Sequence, residues 1–199
     1  MLQGHALSFR YNTQQAWVFQ KVSLQVAPGE IVGISGPSGQ GKTTLAKLLA
    51  GYLQPQTGQV TIAGQPFPRR GYAPVQLIFQ HPELAMNPRW RLRQILAESE
   101  PPSADLLAAL SIEPGWLGRW PHELSGGELQ RVAVARALAS PTRYVIADEM
   151  TAMLDANTQA QIWQVVLAHV RQRNLGLLVI SHDAPLLQRL CSRQVTLDT

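Results

Sequence analysis

Cysteine is almost absent: Cys191 is the only one in 199 residues, so no disulfide can form within the chain and burial must hold the fold together. That usage fits a reducing compartment. Charge is also sparse, at 15% of residues, and the 17 Lys and Arg are dispersed among 13 Asp and Glu, giving a net charge of +4 with no basic tract. Composition therefore gives only weak support to a basic stripe for nucleic acid. No apolar run approaches the roughly 20 residues that span a bilayer, because Gly, Pro or a charged residue interrupts each one. The start, MLQGHALSFRYN, lacks the basic region and apolar stretch of a secretory signal. The chain is expected to be soluble, reaching a membrane only through an embedded partner. Internal repeats are missing too, which makes one site per chain the simpler expectation.

What is present is a 45% apolar composition, enough for the core of one domain, patterned as α/β. Ala6–Tyr11 and Val22–Val26 alternate as strands before the Pro28–Gly29 turn, and Ile31–Ile34 reads as a more buried strand. Leu45, Leu48 and Leu49 mark a helix ending near Gly51. Gln59–Ile62 and Pro74–Phe79 are further strands on either side of the turn-rich GQPFPRRG. Between about His81 and His122 prolines and short helical patterns, Leu92–Glu98 and Ala104–Leu110, suggest a small helical insert, spanning 81–124 of a single domain of residues 1–199. From Ser125 onward a helix, the strand Tyr144–Ala147, a helix over Thr158–Gln172, the strand Leu177–Ile180 and a short strand around Thr196 complete the pattern.

Between the strand Ile31–Ile34 and the following helix stands GPSGQGKTT, comprising Gly36, Pro37, Ser38, Gly39, Gln40, Gly41, Lys42, Thr43 and Thr44. Strand, glycine-rich loop and helix in this order form the complete phosphate-loop spacing. Glycines allow the tight turn that directs amides inward, and the helix start adds positive potential. Lys42 is placed to neutralise the β- and γ-phosphates and the Thr43 hydroxyl to coordinate Mg²⁺, with Thr44 supporting the loop. Tyr144–Ala147 ends in Asp148 and Glu149. An acidic group at a parallel strand's carboxyl end can reach that metal, which suits Asp148, while Glu149 can orient or deprotonate the attacking water. An exposed acidic turn or a helix cap is the alternative for both.

At ELSGGELQR, Glu123–Arg131, the sequence resembles the ATP-binding cassette superfamily. The resemblance runs from Tyr11 to His182 and implies the phosphate-loop ATPase fold of that type, with an N-terminal antiparallel β region and a small helical subdomain. It assigns Leu124, Ser125, Gly126, Gly127 and Glu128 to the signature, which completes the ATP site of an opposing subunit in a head-to-tail pair. It places Gln80 in the Q-loop, contacting Mg²⁺ or the attacking water, and His182 at the switch position, holding Glu149 and water at the γ-phosphate. Asp155 matches the aspartate that crosses the pair's interface, a helix cap being the alternative. Tyr11, ending the first strand, matches the aromatic that stacks on adenine, with Trp17 or simple core packing as competitors. His5, His81, His122 and His169 show no metal-ligand spacing. Met150 and Met153, in EMTAMLD, depart from the proline and small residue common in the family and are expected to change packing there.

VQLIFQHPELAMNPR, Val75–Arg89, looks like the peptide and nickel importer branch, with His81 where that branch commonly has aspartate. Asn87 and Pro88 would help shape the groove that receives a membrane subunit. The branch usually continues well beyond the switch histidine, so the sequence is either a minimal cassette or a truncated one. The resemblance implies an ATPase peripheral to the cytoplasmic face of the inner membrane. It would energise import of nickel, another transition-metal complex or short peptides through multispan permease subunits, paired with itself or with a second cassette and served indirectly by a solute-binding protein. An ATP-gated nucleic-acid clamp and a regulatory ATP-binding partner are the alternatives. The first would usually carry a long coiled-coil insert, and the second is opposed by the presence of Lys42, Gln80, Asp148, Glu149 and His182.

Overall fold

The computed structural model of the protein describes residues 1–68, 70–98, 100–139 and 141–197. Position 69 of the turn-rich GQPFPRRG, positions 99 and 140, and the last two residues of the expected domain lie outside these.

Two sheets organise the chain. In the first, β1 (Leu2–Phe9) lies between β2 (Phe19–Val26) and β4 (Thr57–Ile62), with the short β5 (Gln65–Pro66) at the edge, all antiparallel. Strand β1 starts earlier than its alternation suggests, because Leu2 pairs with both Val26 and Ile62. Ala6 stands at φ 47° where the register shifts, and that irregularity breaks the two-residue period on which the sequence reading relied. The strand also stops before Tyr11: the Gln56 side chain takes both the N–H and the carbonyl of Arg10, so the ladder cannot continue. Tyr11 therefore lies in the following loop, not at the strand's end.

The second sheet is fully parallel, in the order β6-β7-β8-β3-β9, from β3 (Ile31–Ser35), β6 (Val75–Ile78), β7 (Tyr144–Asp148), β8 (Gly176–Ile180) and β9 (Arg193–Thr196). Every residue of β7 and β8 is buried, which is why both read as continuous apolar runs instead of alternating ones. One face, with the antiparallel sheet and α1 (Lys42–Leu49), buries Leu7, Phe19, Ile34, Leu45 and Ile146. The other is covered by α4 (Gly126–Ala137), α5 (Ala156–Arg173) and α6 (Ala184–Leu190), burying Val132, Ile162, Val166 and Leu187. The expected insert holds α2 (Leu92–Leu96) and α3 (Ala104–Ala109), with a 3-10 turn before them at Pro82–Ala85 and two after them at Pro114–Gly118 and Pro121–Glu123. Its Ile95, Leu110 and Trp116 belong to the same apolar cluster as α4.

Because all five strands run the same way, their carboxyl ends emerge along one edge. Four of these ends deliver Gly36, Gln80, Asp148 with Glu149, and His182 to that edge.

Candidate functional site

Gly36 through Gly41 wrap the end of β3 onto the start of α1. Gly39 and Gly41 take φ of 88° and 82°, in the left-handed region that side chains resist, and a Cβ on Gly41 would stand 2.5 Å from Val18 Cγ1. Helix α1 has no side-chain cap, so the amides of its first turn remain available to an acceptor from outside the chain. Lys42 is 8% exposed, and its Nζ donates to the carbonyls of Gly36 and Pro37, 2.7 Å from each. The ammonium is thereby held across the loop.

Asp148 is 4% exposed and its Oδ1 has no hydrogen-bond partner among the described residues. Burial raises its pKa, the Glu149 charge adds to the rise, and the Thr43 hydroxyl, Lys47 and Lys42 oppose it. An orphaned buried carboxylate oxygen beside a threonine hydroxyl is a donor set suited to a hard divalent cation, so these residues fit Mg²⁺. Glu149 has φ 52°, uncommon for a residue with a side chain, and its N–H donates to the Ile180 carbonyl on the neighbouring strand end. That bond turns Glu149 toward β8, where His182 Nδ1 lies 2.9 Å from Oε1 in hydrogen-bonding geometry and 2.8 Å from Oε2, whose angle gives no hydrogen bond. The hydrogen bond to Glu149, and then the carboxylate charge, raise the His182 pKa.

A concavity of roughly 450 Å³ gathers these groups: Lys42, Thr43, Gln80, Asp148, Glu149 and His182 line it, together with Ser38, Thr44 and Tyr11. Tyr11 is 60% exposed, packs edge-on against Phe9 at 5.1 Å and shares a 2.9 Å hydrogen bond with Thr44 Oγ1. Trp17, the competing aromatic, is covered by the Arg10 guanidinium at 4.5 Å and does not line the concavity. Val18, which lines the concavity, and Lys47, whose charge acts on Asp148, are contributors that the sequence reading passed over. Nothing in the pattern marks Val18, whereas Lys47 was legible as one turn beyond Lys42 and Thr43 on α1.

Ser125, Gly126, Gly127, Glu128 and Asp155 are not among the residues lining this concavity. Ser125 caps α4 in a reciprocal box: its hydroxyl accepts from the Glu128 N–H at 3.3 Å while Glu128 Oε2 accepts from the Ser125 N–H at 2.7 Å. The Ser125 N–H is also what lowers the Glu128 pKa most. Ser125 and Gly126 are exposed at this helix start. Asp155 caps α5, accepting from Asn157 and Thr158, and the Thr158 side chain does most to lower its pKa. Of the two unusual methionines, Met150 is buried at 3% exposure in the core and Met153 is 68% exposed.

A second groove of roughly 520 Å³ adjoins the concavity and shares Thr43, Gln80 and Asp148 with it. Its outer wall is apolar, with Tyr52 and Leu84 exposed at 57% and 75% beside Phe79 and Met86. No helix among the described residues is long and apolar enough to cross a membrane.

Residues 19–152 match the ABC transporter family. The chain is 35% identical, over 91% of its length and 61% of the relative's, to the Escherichia coli K12 protein named Probable D,D-dipeptide transport ATP-binding protein DdpF. To the nickel import ATP-binding protein NikE of Escherichia coli UTI89 it is 34% identical, over 93% of this chain and 76% of that one. A solved dimeric bacterial ABC transporter cassette superposes with a TM-score of 0.82 at 24% identity, over 99% of this chain and 94% of the other. The chain thus spans about three fifths of the D,D-dipeptide relative, 61% of its length. A parallel sheet whose strand ends gather the phosphate loop, the acidic pair and the histidine, followed by a capped LSGGE helix, agrees with that match: the chain belongs to the ABC transporter family.

Proposed function

We propose that the chain hydrolyses MgATP and that this drives import through a separate multispan permease. Under this reading it acts as a peripheral subunit on the cytoplasmic face of the membrane. The observation that carries the reading is the Glu149–His182 pair standing in the same concavity as Lys42 and Asp148. Lys42 and the free amides of α1 hold the phosphates of ATP. Thr43, Asp148 and Gln80 would hold Mg²⁺, which when bound neutralises charge on the phosphate oxygens. Glu149 accepts a proton from the attacking water, and His182 fixes the carboxylate's orientation through Nδ1. The ring of Tyr11 offers the adenine a face.

The exposed start of α4 at Ser125 and Gly126, which does not line the chain's own concavity, would offer a second anion-binding surface to an opposing cassette. Two chains, or this chain and a second cassette, would therefore close head to tail around two nucleotides. The groove at Tyr52 and Leu84 would receive the permease; Asn87 and Pro88 follow its Met86 in sequence without lining it. Similarity to dipeptide and nickel import proteins favours short peptides or a transition-metal complex as cargo, delivered by a solute-binding protein. The absence of a basic stripe in the sequence gives a nucleic-acid clamp no comparable support.

Cysteines introduced as Ser38→Cys and Gly126→Cys in a Glu149→Gln, Cys191→Ser chain, alone or with its permease, test the arrangement. A disulfide between subunits that forms with MgATP and not with MgADP is expected. Failure to retain MgATP, or cross-linking indifferent to nucleotide, overturns it.

A further inference from the structure

Helix α4 begins at Ser125 and runs beneath the segment that joins Gln80 to the apolar groove. Two of its side chains seize that segment at both ends. Gln130, 2% exposed, donates from Nε2 to the Phe79 carbonyl at 3.3 Å, one residue before Gln80. Arg136 donates from Nη1 to the Ala85 carbonyl at 2.5 Å, at the end of the 3-10 turn that carries Leu84. The same Nη1 lies 3.0 Å from Glu98 Oε2. Six residues of helix separate the two donors, about 9 Å along the axis and a third of a turn around it. The 3-10 turn, which lies within the tethered segment, and β6, which leads into it, both pack on α4.

From this we infer that Gln130 and Arg136 are positioning residues that convert movement of the Leu84 groove into movement of the Ser125 end of α4. The inference rests on the proposed function and deepens it. A segment tied at one end only could swing without disturbing the helix. Tied at both, and packed between, segment 79–85 and α4 must shift together. Arg136 also holds the stretch after α2 through Glu98, so the helical region moves with them. Its Nε is buried without an acceptor among the described residues, which leaves one donor for a shifted arrangement to satisfy. Tight packing favours discrete shifts over gradual deformation.

A fluorophore on Leu84→Cys in a Glu149→Gln, Cys191→Ser chain reports on the groove, while mant-ATP reports on the phosphate loop. Cassette association is followed by light scattering with and without MgATP. In this parent, MgATP should produce both association and a change in the groove fluorophore. Arg136→Met and Gln130→Met should keep mant-ATP affinity within about twofold and reduce the fluorophore's response by about tenfold, the size of an ordinary coupling between sites. Arg136→Lys, which keeps a donor for Ala85, should restore most of the response. Equal losses of mant-ATP binding, response and thermal midpoint, unrelieved by lysine, would identify a merely structural role and overturn the inference. So would a full response in both methionine variants. Should the parent fail to associate with MgATP both alone and together with its permease and a second cassette, the proposed function falls and takes this inference with it; a parent that associates while the variants respond like it rejects the coupling alone.

Discussion

Glu149 and His182 stand at the ends of neighbouring parallel strands, and the Glu149 N–H bound to the Ile180 carbonyl turns the carboxylate toward the ring, 2.9 Å from Nδ1. The hydrogen bond and the carboxylate charge favour the protonated imidazole, so His182 should titrate above the ordinary histidine value. In Glu149→Gln its pKa, followed by the imidazole NMR shift, should fall back toward that value. The pair's contribution to stability is fully present below the unfolded histidine pKa of about 6.5 and is lost as pH rises through the higher folded value. The urea midpoint gap between wild type and His182→Asn should therefore narrow from about pH 6 to about pH 9. A gap that widens over this range contradicts the pairing.

The same Glu149→Gln change should preserve ATP binding while lowering hydrolysis by about a hundredfold or more, as expected for loss of a general base. Phosphate release and equilibrium mant-ATP binding, measured on one preparation, separate the two effects. Hydrolysis unchanged after substitution removes Glu149 from its proposed role.

Asp148 presents the opposite balance between fold and site. Its pKa is raised chiefly by burial, so at neutral pH the ionised group destabilises the folded chain, and that burden eases as falling pH neutralises it. Asp148→Asn should therefore raise the thermal midpoint near neutral pH by about 2–4 °C. It should also abolish the effect of Mg²⁺ on nucleotide affinity. A lowered midpoint would show that the carboxylate is better compensated than an Oδ1 without a partner among the described residues indicates.

Much of this was legible in the sequence because the phosphate loop, the acidic strand end and the SHD turn each place chemistry at a strand's carboxyl end, and a parallel sheet brings such ends together without further information. The first strand was misplaced because the shift at Ala6 hides its period, and Gln56, far away in sequence, ends it early. Helix α6 went unrecognised: it has only seven residues, opens on Ala184–Pro185 and is fixed by the Asp183 cap, whose hydrogen bond to Leu186 is visible only in three dimensions. Gln130 and Arg136 read as ordinary helix residues, since carbonyl acceptors 51 positions away leave no local trace. For Asp155 the sequence left cap and interface open, and one chain displays only a cap there, as it does at Ser125.

Under the proposed function, Ser125 should have two separable effects. Ser125→Ala removes the acceptor for the Glu128 N–H and should cost about 1 kcal/mol in urea unfolding, independent of nucleotide. Its effect on hydrolysis should appear at the opposing subunit. In a pair carrying Ser125→Ala on one chain and Lys42→Ala on the other, one composite site keeps both groups if the signature acts across the interface. Mixed pairs should then regain part of the activity that each doubly identical pair lacks, and no recovery on mixing would reject the cross-subunit assignment.

Tyr11 is held on two sides, by Phe9 against its ring and by Thr44 at its hydroxyl, while Trp17 is engaged with Arg10. If the ring face receives the base, Tyr11→Ala should weaken mant-ATP binding by about 1 kcal/mol or more, within the range found for base–aromatic stacking. Tyr11→Phe keeps the face and loses only the bond to Thr44, so its loss should be smaller, whereas Trp17→Ala should leave affinity nearly unchanged. The ordering of the three variants carries the argument, because general damage to the loop would make Tyr11→Phe and Tyr11→Ala alike. A larger loss in Trp17→Ala than in Tyr11→Ala would transfer the stacking role to Trp17.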